Sequence, residues 1–306
     1  MNAVERVGFI GLGNMGGPMC GHLVKAGFDV TAFDLSSDAL SVVVEAGARA
    51  ARSALDCASA VDALITMLPA PPHVQSVLLG ADGSDGVIGG LGPGTIAIDM
   101  STSSVAVGSR VAAAARERGV DVLDAPVAGQ SIGAKAGTLA IYVGGDPDVF
   151  ERARPLFDAM GDPARVFHLG PNGTGYTVKL LLNLMWFIES VAVGEVLSLG
   201  VKAGVPLDRL HEALVGSPAN SVFLERDVRM VLDDGDYDEA FPMRLVTKDL
   251  GLAVDLAAEV GVPAELTALV EQVHRRARNL YGDDAGEISA VRLYEDLAGV
   301  QLRLPH

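Results

Sequence analysis

The chain has 306 residues and a formal net charge of −16, and almost half of its residues are hydrophobic with few aromatics. That length suffices for two domains, or one large one, around a sizeable core. The acidic balance argues against nucleic acid and anionic membranes as partners, because both would be repelled. Cys20 and Cys57 have neither metal-ligand nor disulfide spacing, so they read as buried thiols of a reducing cytoplasm. No signal-peptide pattern opens the sequence.

Apolar runs at 7–10 and 30–33 predict two strands. A helix is expected over 15–26, ended by Gly27, and another over 38–46, closed by Gly47. Further strands are expected at 63–68, ended by Pro69, and at 95–99, 120–123 and 139–143. The glycine-rich residues 80–94 read as a surface loop. Strand alternating with helix is the pattern of a doubly wound parallel α/β sheet. From residue 174 only helices are expected, over 174–199, 207–214, 222–232, 245–260 and 264–281, with breaks at Val205-Pro206 and Val262-Pro263. A domain division is therefore placed at about residue 164, giving an α/β domain over 1–164 and an all-α domain over 165–306. Residues 180–199 are apolar enough to suggest a membrane span, but Glu189 and Glu195 interrupt them. They read as a buried helix, in a domain core or a subunit interface.

The segment Gly11-Leu12-Gly13-Asn14-Met15-Gly16 fits G-x-G-x-x-G between the first strand and the first helix. In that setting Gly11 permits the tight turn, Gly13 lets the backbone approach a pyrophosphate, and Gly16 lets helix pack on strand. The helix N-terminus adds amide donors and partial positive charge, which an acidic protein needs in order to hold an anion. Asp34 ends the second strand. A carboxylate there accepts from both ribose hydroxyls of NAD and repels the 2′-phosphate of NADP, and Leu35-Ser36-Ser37 offers no arginine. NAD is favoured over NADP. The competing reading of Asp34 is a surface cap on the next helix, a task that Ser37 or Asp38 could also fill.

The opening motif resembles that of the β-hydroxyacid dehydrogenases, the family of 3-hydroxyisobutyrate dehydrogenase. Four further segments follow in the family's order: Asp99-Met100-Ser101-Thr102, Asp124-Ala125-Pro126-Val127 through Gly137-Thr138-Leu139, Gly170 through Asn183, and Lys248-Asp249-Leu250. The resemblance spans essentially the whole chain. It implies a Rossmann-type domain, a long linking helix and an all-helical domain that helps form a homodimer or homotetramer. It implies reversible oxidation of a 3-hydroxy acid to a semialdehyde or oxo acid, in the cytoplasm and without a metal.

Lys179 and Asn183 stand four residues apart, on one face of the apolar helix that follows Gly173-Thr174-Gly175. Apolar surroundings disfavour a lysine's charged form and suit it to proton transfer near neutral pH. The resemblance gives Lys179 the exchange of the substrate hydroxyl proton and Asn183 the orientation of lysine and substrate. From spacing alone Lys179 could equally snorkel to solvent. Leu182 stands where the family often has a second asparagine.

The resemblance also assigns Ala128-Gly129-Gln130 to the substrate carboxylate, with a departure: members commonly have serine and glycine where this chain has Ala128 and Gln130. Backbone amides alone can form such an anion nest; a changed substrate is the other reading. Lys248 is placed near substrate and nicotinamide, although an exposed Lys-Asp pair would be the default from sequence. Thr102 is expected on the nicotinamide side, and Leu68 and Pro69 beside the adenosine half, because all follow strands at their carboxyl ends. Two other readings share these residues. An NADPH-dependent imine or carbonyl reductase of the same fold is opposed by Lys179 and Asp34 and favoured by Ala128 and Gln130. A dinucleotide-binding sensor or scaffold without turnover is opposed by Lys179 and Asn183.

Overall fold

The computed structural model describes residues 4–80, 86–237 and 241–304. The chain divides into two compact units, Met1–Lys179 and Leu180–His306.

In the first unit, β1 (Arg6–Ile10), β2 (Asp29–Phe33), β3 (Arg49–Ala50), β4 (Ala63–Thr66), β5 (Ile96–Asp99) and β6 (Asp121–Asp124) form one parallel sheet. Its order, β3-β2-β1-β4-β5-β6, reverses direction between β1 and β4, where doubly wound sheets bind their ligands. The central strands β4 and β5 are buried along their whole length and apolar up to their last residues, Thr66 and Asp99, because helices cover both faces. Alternation along each strand feeds two cores. Val7, Phe9, Ile65 and Ile98 point to one, with Met19 and Leu23. Ile10, Leu64 and Ala97 point to the other, with Val74, Leu78 and Val111.

The strand expected at 139–143 is present as β8 (Leu139–Val143), but it belongs to a separate sheet. It pairs antiparallel with β7 (Val127–Ala128) and parallel with β9 (Gly161–His168). Its apolar run identified a buried strand and could not name its partners. The segment expected to be a surface loop is also corrected in part. Val87, Ile88 and Leu91 are buried in the second core, Val87 and Ile88 within a short 3-10 turn, Val87–Gly90; residues 81–85 lie outside the described residues.

The second unit is helical: Leu207–Val215, a π-helical turn Phe223–Asp227, Arg229–Asp234, Met243–Val260, Glu265–Tyr281 and Ser289–Ala298, together with most of the long helix Thr174–Lys202. Glycines let helices cross closely here. A Cβ on Gly194 would lie 2.9 Å from Val291 Cα, and one on Gly200 would lie 2.3 Å from Leu210 Cδ2.

The change from strand to helix occurs after His168. The unit division comes later, inside the long helix, because its first turn packs with the sheet. A Cβ on Gly175 would lie 2.4 Å from Tyr142 O and 2.6 Å from Asp124 O. This helix is long and apolar enough to cross a membrane by length and composition. Of the two expected places of burial, the domain core does not cover Leu181, Met185, Val196 and Leu199, which are exposed in the single chain. At about 100° per residue they fall on one stripe.

Candidate active site

The glycine turn is fixed by backbone contacts. Gly11 has φ of +95°, and its N–H donates to Phe33 O at 3.0 Å. A Cβ there would lie 2.3 Å from Met67 O, and one on Gly16 would lie 1.9 Å from Gly11 O. Neither position admits a side chain without moving the turn. Gly13 differs, since a Cβ there would meet no protein atom within 4 Å. Packing within the chain does not demand glycine at Gly13, whereas close approach of a pyrophosphate does. The helix that follows, Gly16–Lys25, has no side-chain cap and no acidic residue in its first turn, which suits an anion at its N-terminus. The residues present therefore fit a dinucleotide.

Asp34 follows β2 directly. It accepts from Leu12 N at 2.6 Å and from Ser36 N at 2.7 Å, which holds the carboxylate beside the turn. Capping of the next helix falls to Ser36, which accepts from Ala39 N, so Asp34 is not spent as that cap. Each carboxylate oxygen keeps acceptor capacity for a ribose hydroxyl.

Leu68 and Pro69 follow β4, and Thr102 follows β5. Leu68 N donates to Ser101 Oγ at 2.8 Å, and Ser101 Oγ donates to Asp99 at 2.6 Å. Asp99 is buried and also accepts from Thr66 Oγ1 at 2.7 Å and Tyr176 Oη at 2.6 Å. Its neighbour in the sheet, Asp124, accepts from Gly173 N at 2.7 Å and Tyr176 N at 3.0 Å, bracketing the start of the long helix. Burial raises the Asp99 carboxyl and pushes Asp124 up to about 6, against the opposing pull of these donors. Two strand-end aspartates thus tie the turns after β4 and β5 to the helix that carries Lys179. Sequence reasoning did not find this network. Its only signal is an aspartate closing an otherwise apolar strand, as in Ile96-Ala97-Ile98-Asp99.

Lys179 is buried, with 9% of its surface exposed, one turn after Tyr176. Asn183 follows one turn later on the same helix. In the second unit, Asn183 Nδ2 donates to Asp249 Oδ2 at 2.7 Å, and Lys248 Nζ lies 3.0 Å from Asp249 Oδ1. Asp249 is only 2% exposed, so the Lys248-Asp249 pair is no solvated pair on a helix face. One buried carboxylate brings Asn183 and Lys248 together.

The substrate-loop residues sit where β7 ends. Gly129 has φ of +128° and Gln130 has φ of +54°, and Gln130 opens a short helix, Gln130–Ala136. A left-handed backbone is uncommon outside glycine and costs on the order of 1 kcal/mol or more. Gly129 and Gln130 are exposed and Ala128 is half-buried.

The NAD-binding domain of 6-phosphogluconate dehydrogenase matches residues 6–170, and the NAD-binding segment of NADP-dependent 3-hydroxyisobutyrate dehydrogenase matches residues 173–294. The NAD-dependent L-serine dehydrogenase of Pseudomonas aeruginosa is 38% identical over 89% of this chain and 92% of its own length. The 2-(hydroxymethyl)glutarate dehydrogenase of Eubacterium barkeri is 36% identical over 97% of each. A solved 3-hydroxyisobutyrate dehydrogenase of Mycobacterium tuberculosis, studied with L-serine, superposes with a TM-score of 0.87 at 31% identity, covering 95% of this chain and 99% of that one. The chain belongs to the β-hydroxyacid dehydrogenase family, NAD-linked oxidoreductases that act on the CH–OH group of hydroxy acids.

Proposed function

We propose that this chain oxidises acids of the form HOCH2–CHR–COO⁻ to the corresponding semialdehyde, with NAD as acceptor. Serine, 2-(hydroxymethyl)glutarate and 3-hydroxyisobutyrate, which name relatives of this chain, share that core and differ in R. The observation that carries the reading is a buried lysine on a helix whose start is held by the strand-end network of a glycine-turn sheet.

Bound NAD supplies the hydride acceptor. The amides of Gly11 through Gly16 would hold its pyrophosphate and Asp34 its adenine-side ribose; Leu68 and Pro69 would serve the adenosine half, and Thr102 and Lys248 the nicotinamide half. Lys179, as the neutral amine, takes the hydroxyl proton while the carbinol C–H bond breaks; in the reverse direction its ammonium protonates the carbonyl oxygen. Asn183 orients the lysine and the hydroxyl. Backbone amides around Ala128-Gly129-Gln130 hold the carboxylate, and the Gln130 amide meets R. The strained φ of Gln130 supports a functional role for this loop.

The protein works as a homodimer or homotetramer in the cytoplasm. The exposed apolar stripe of Leu181, Met185, Val196 and Leu199 supports burial against a second copy, and the two buried free cysteines suit a reducing compartment.

Reduction of NAD and NADP is to be measured across acids with R as methyl, amino and 2-carboxyethyl, beside a 2-hydroxy acid control. NAD reduction with at least one of the three, and at least about tenfold preference over NADP, is expected. NADPH-dependent imine reduction without alcohol oxidation would support the reductase reading. NADH binding with no turnover on any acid would support a sensor.

A further inference from the structure

We propose that Asp249 is a positioning residue that fixes the Asn183 amide, so that the Asn183 carbonyl oxygen is held toward the active site as a hydrogen-bond acceptor. The inference rests on the reading of Asn183 as a site residue given above.

An asparagine side chain carries one donor end and one acceptor end, and it can rotate to exchange them. An ionised carboxylate can only accept. Asp249 Oδ2 stands 2.7 Å from the Asn183 amide, so the atom facing it is Nδ2. Turned the other way, two buried oxygens would face each other at that distance. Asp249 is also costly where it stands. It lies on the buried face of the helix Met243–Val260, among Met243, Val246, Leu250 and Ala253. A carboxylate survives there because Asn183 and the Lys248 ammonium both meet it. A hydrophobic residue would pack at that position without such partners. What the carboxylate adds is direction: the planar amide keeps its carbonyl oxygen turned away from Asp249. An oxygen so aimed accepts from a substrate hydroxyl or from a lysine ammonium.

The test is a reciprocal exchange. Asn183→Asp alone sets two carboxylates against each other, and Asp249→Asn alone lets either end of each amide face the other. Each single variant is expected to lower kcat by about 10- to 100-fold, the scale on which misplaced reacting groups cost rate. In Asn183→Asp, which leaves the Lys248-Asp249 pair in place, the KM for NAD should stay within about twofold. The double variant Asn183→Asp/Asp249→Asn restores one carboxylate and one amide, now donating from position 249, and leaves an oxygen at position 183 as acceptor. It should recover most of the lost kcat. In an Asn183→Ala background, Asp249→Asn should cost less than about twofold more, because groups that act as one unit are not additive. No recovery in the double variant, or full additivity in the alanine background, would overturn the proposal. The exchange alters little volume, and melting temperatures check that each variant folds.

A second readout does not need turnover. The Asn183 side-chain NH2 signals, assigned by comparison with Asn183→Ala, should show slow solvent exchange in the wild type and fast exchange in Asp249→Asn. Slow exchange with no turnover would refute the functional reading and leave the fixed amide standing. Fast exchange in the wild type would refute the fixed amide itself.

Discussion

The first unit builds its candidate phosphate site from backbone amides at a strand end and adds the side chains of Asp34 and Lys179, whereas the second offers only side chains on helices, Asn183 and Lys248, gathered by one buried carboxylate. A strand end is a fixed place: register and sheet order decide where Gly11, Leu68 and Thr102 stand relative to one another. A helix face leaves a long side chain several rotamers, and direction has to come from a further contact. The comparison teaches that binding should fail when backbone space is filled in the first unit, and that rate should fail when orienting contacts are removed from the second.

Filling the glycine turn gives the largest effect. Gly16→Ala forces a Cβ against Gly11 O; a fall in Tm on the order of 10 °C is expected, with loss of NADH binding. Gly13→Ala meets no protein atom. Its Tm should match the wild type while the NADH dissociation constant rises by about tenfold or more, or about 1.4 kcal/mol. Fluorescence titration and calorimetry on both variants separate packing from ligand approach. A Gly13→Ala protein that binds NADH normally would break the backbone half of the comparison.

Tyr176→Phe removes one of the donors that meet the buried Asp99 carboxyl. It should cost about 1–3 kcal/mol in urea denaturation, the scale for a buried acceptor left one partner short. An unchanged midpoint would mean that the tie between strand ends and helix contributes nothing.

A smaller effect has opposite signs in the two units. Burial lowers His274 to about 4, with its ring packed against Phe187 and its Nδ1 near Val270 O. Its unfolded value is about 6.5. Between those values the unfolded chain holds the extra proton, so the second unit loses stability as pH falls from about 6.5 to about 4. Asp124 is raised to about 6 from a usual 3.8. There the folded chain holds the extra proton, so the first unit gains stability as pH falls from about 6 to about 4 and loses it as pH rises through about 6. Hydrogen exchange at pH 5 and pH 7 should show the helical unit less protected and the sheet more protected at the lower pH. Equal changes in both units would contradict this assignment.

The same contrast explains what the sequence could disclose. Five strands of the first sheet were legible because buried parallel strands are continuous apolar runs, and the glycine turn because its spacing recurs with a mechanical reason at each position; the two-residue β3, Arg49–Ala50, is too short to form such a run. The partners of Leu139–Val143 were not legible, since an apolar run does not encode whether its neighbour is parallel. Nor were Asp99, Asp124 and Asp249. Acidic residues are taken as exposed by default, and only tertiary contacts reveal that Thr66, Tyr176 and Asn183 meet them. Lys179 and Asn183 were visible as a spacing on one helix; their roles came from the family resemblance.

The central claim is that Lys179 performs proton transfer and takes no part in holding the cofactor. Single-turnover reduction of NAD by a HOCH2–CHR–COO⁻ acid that the wild type oxidises, measured on Lys179→Ala beside NADH titration of the same preparation, tests it most directly. The account predicts a rate lower by about 10²–10⁴-fold, the scale of general acid–base catalysis, with NADH affinity unchanged within about twofold. A Lys179→Ala protein that turns over at near wild-type rate, or that loses NADH binding together with its rate, would contradict it.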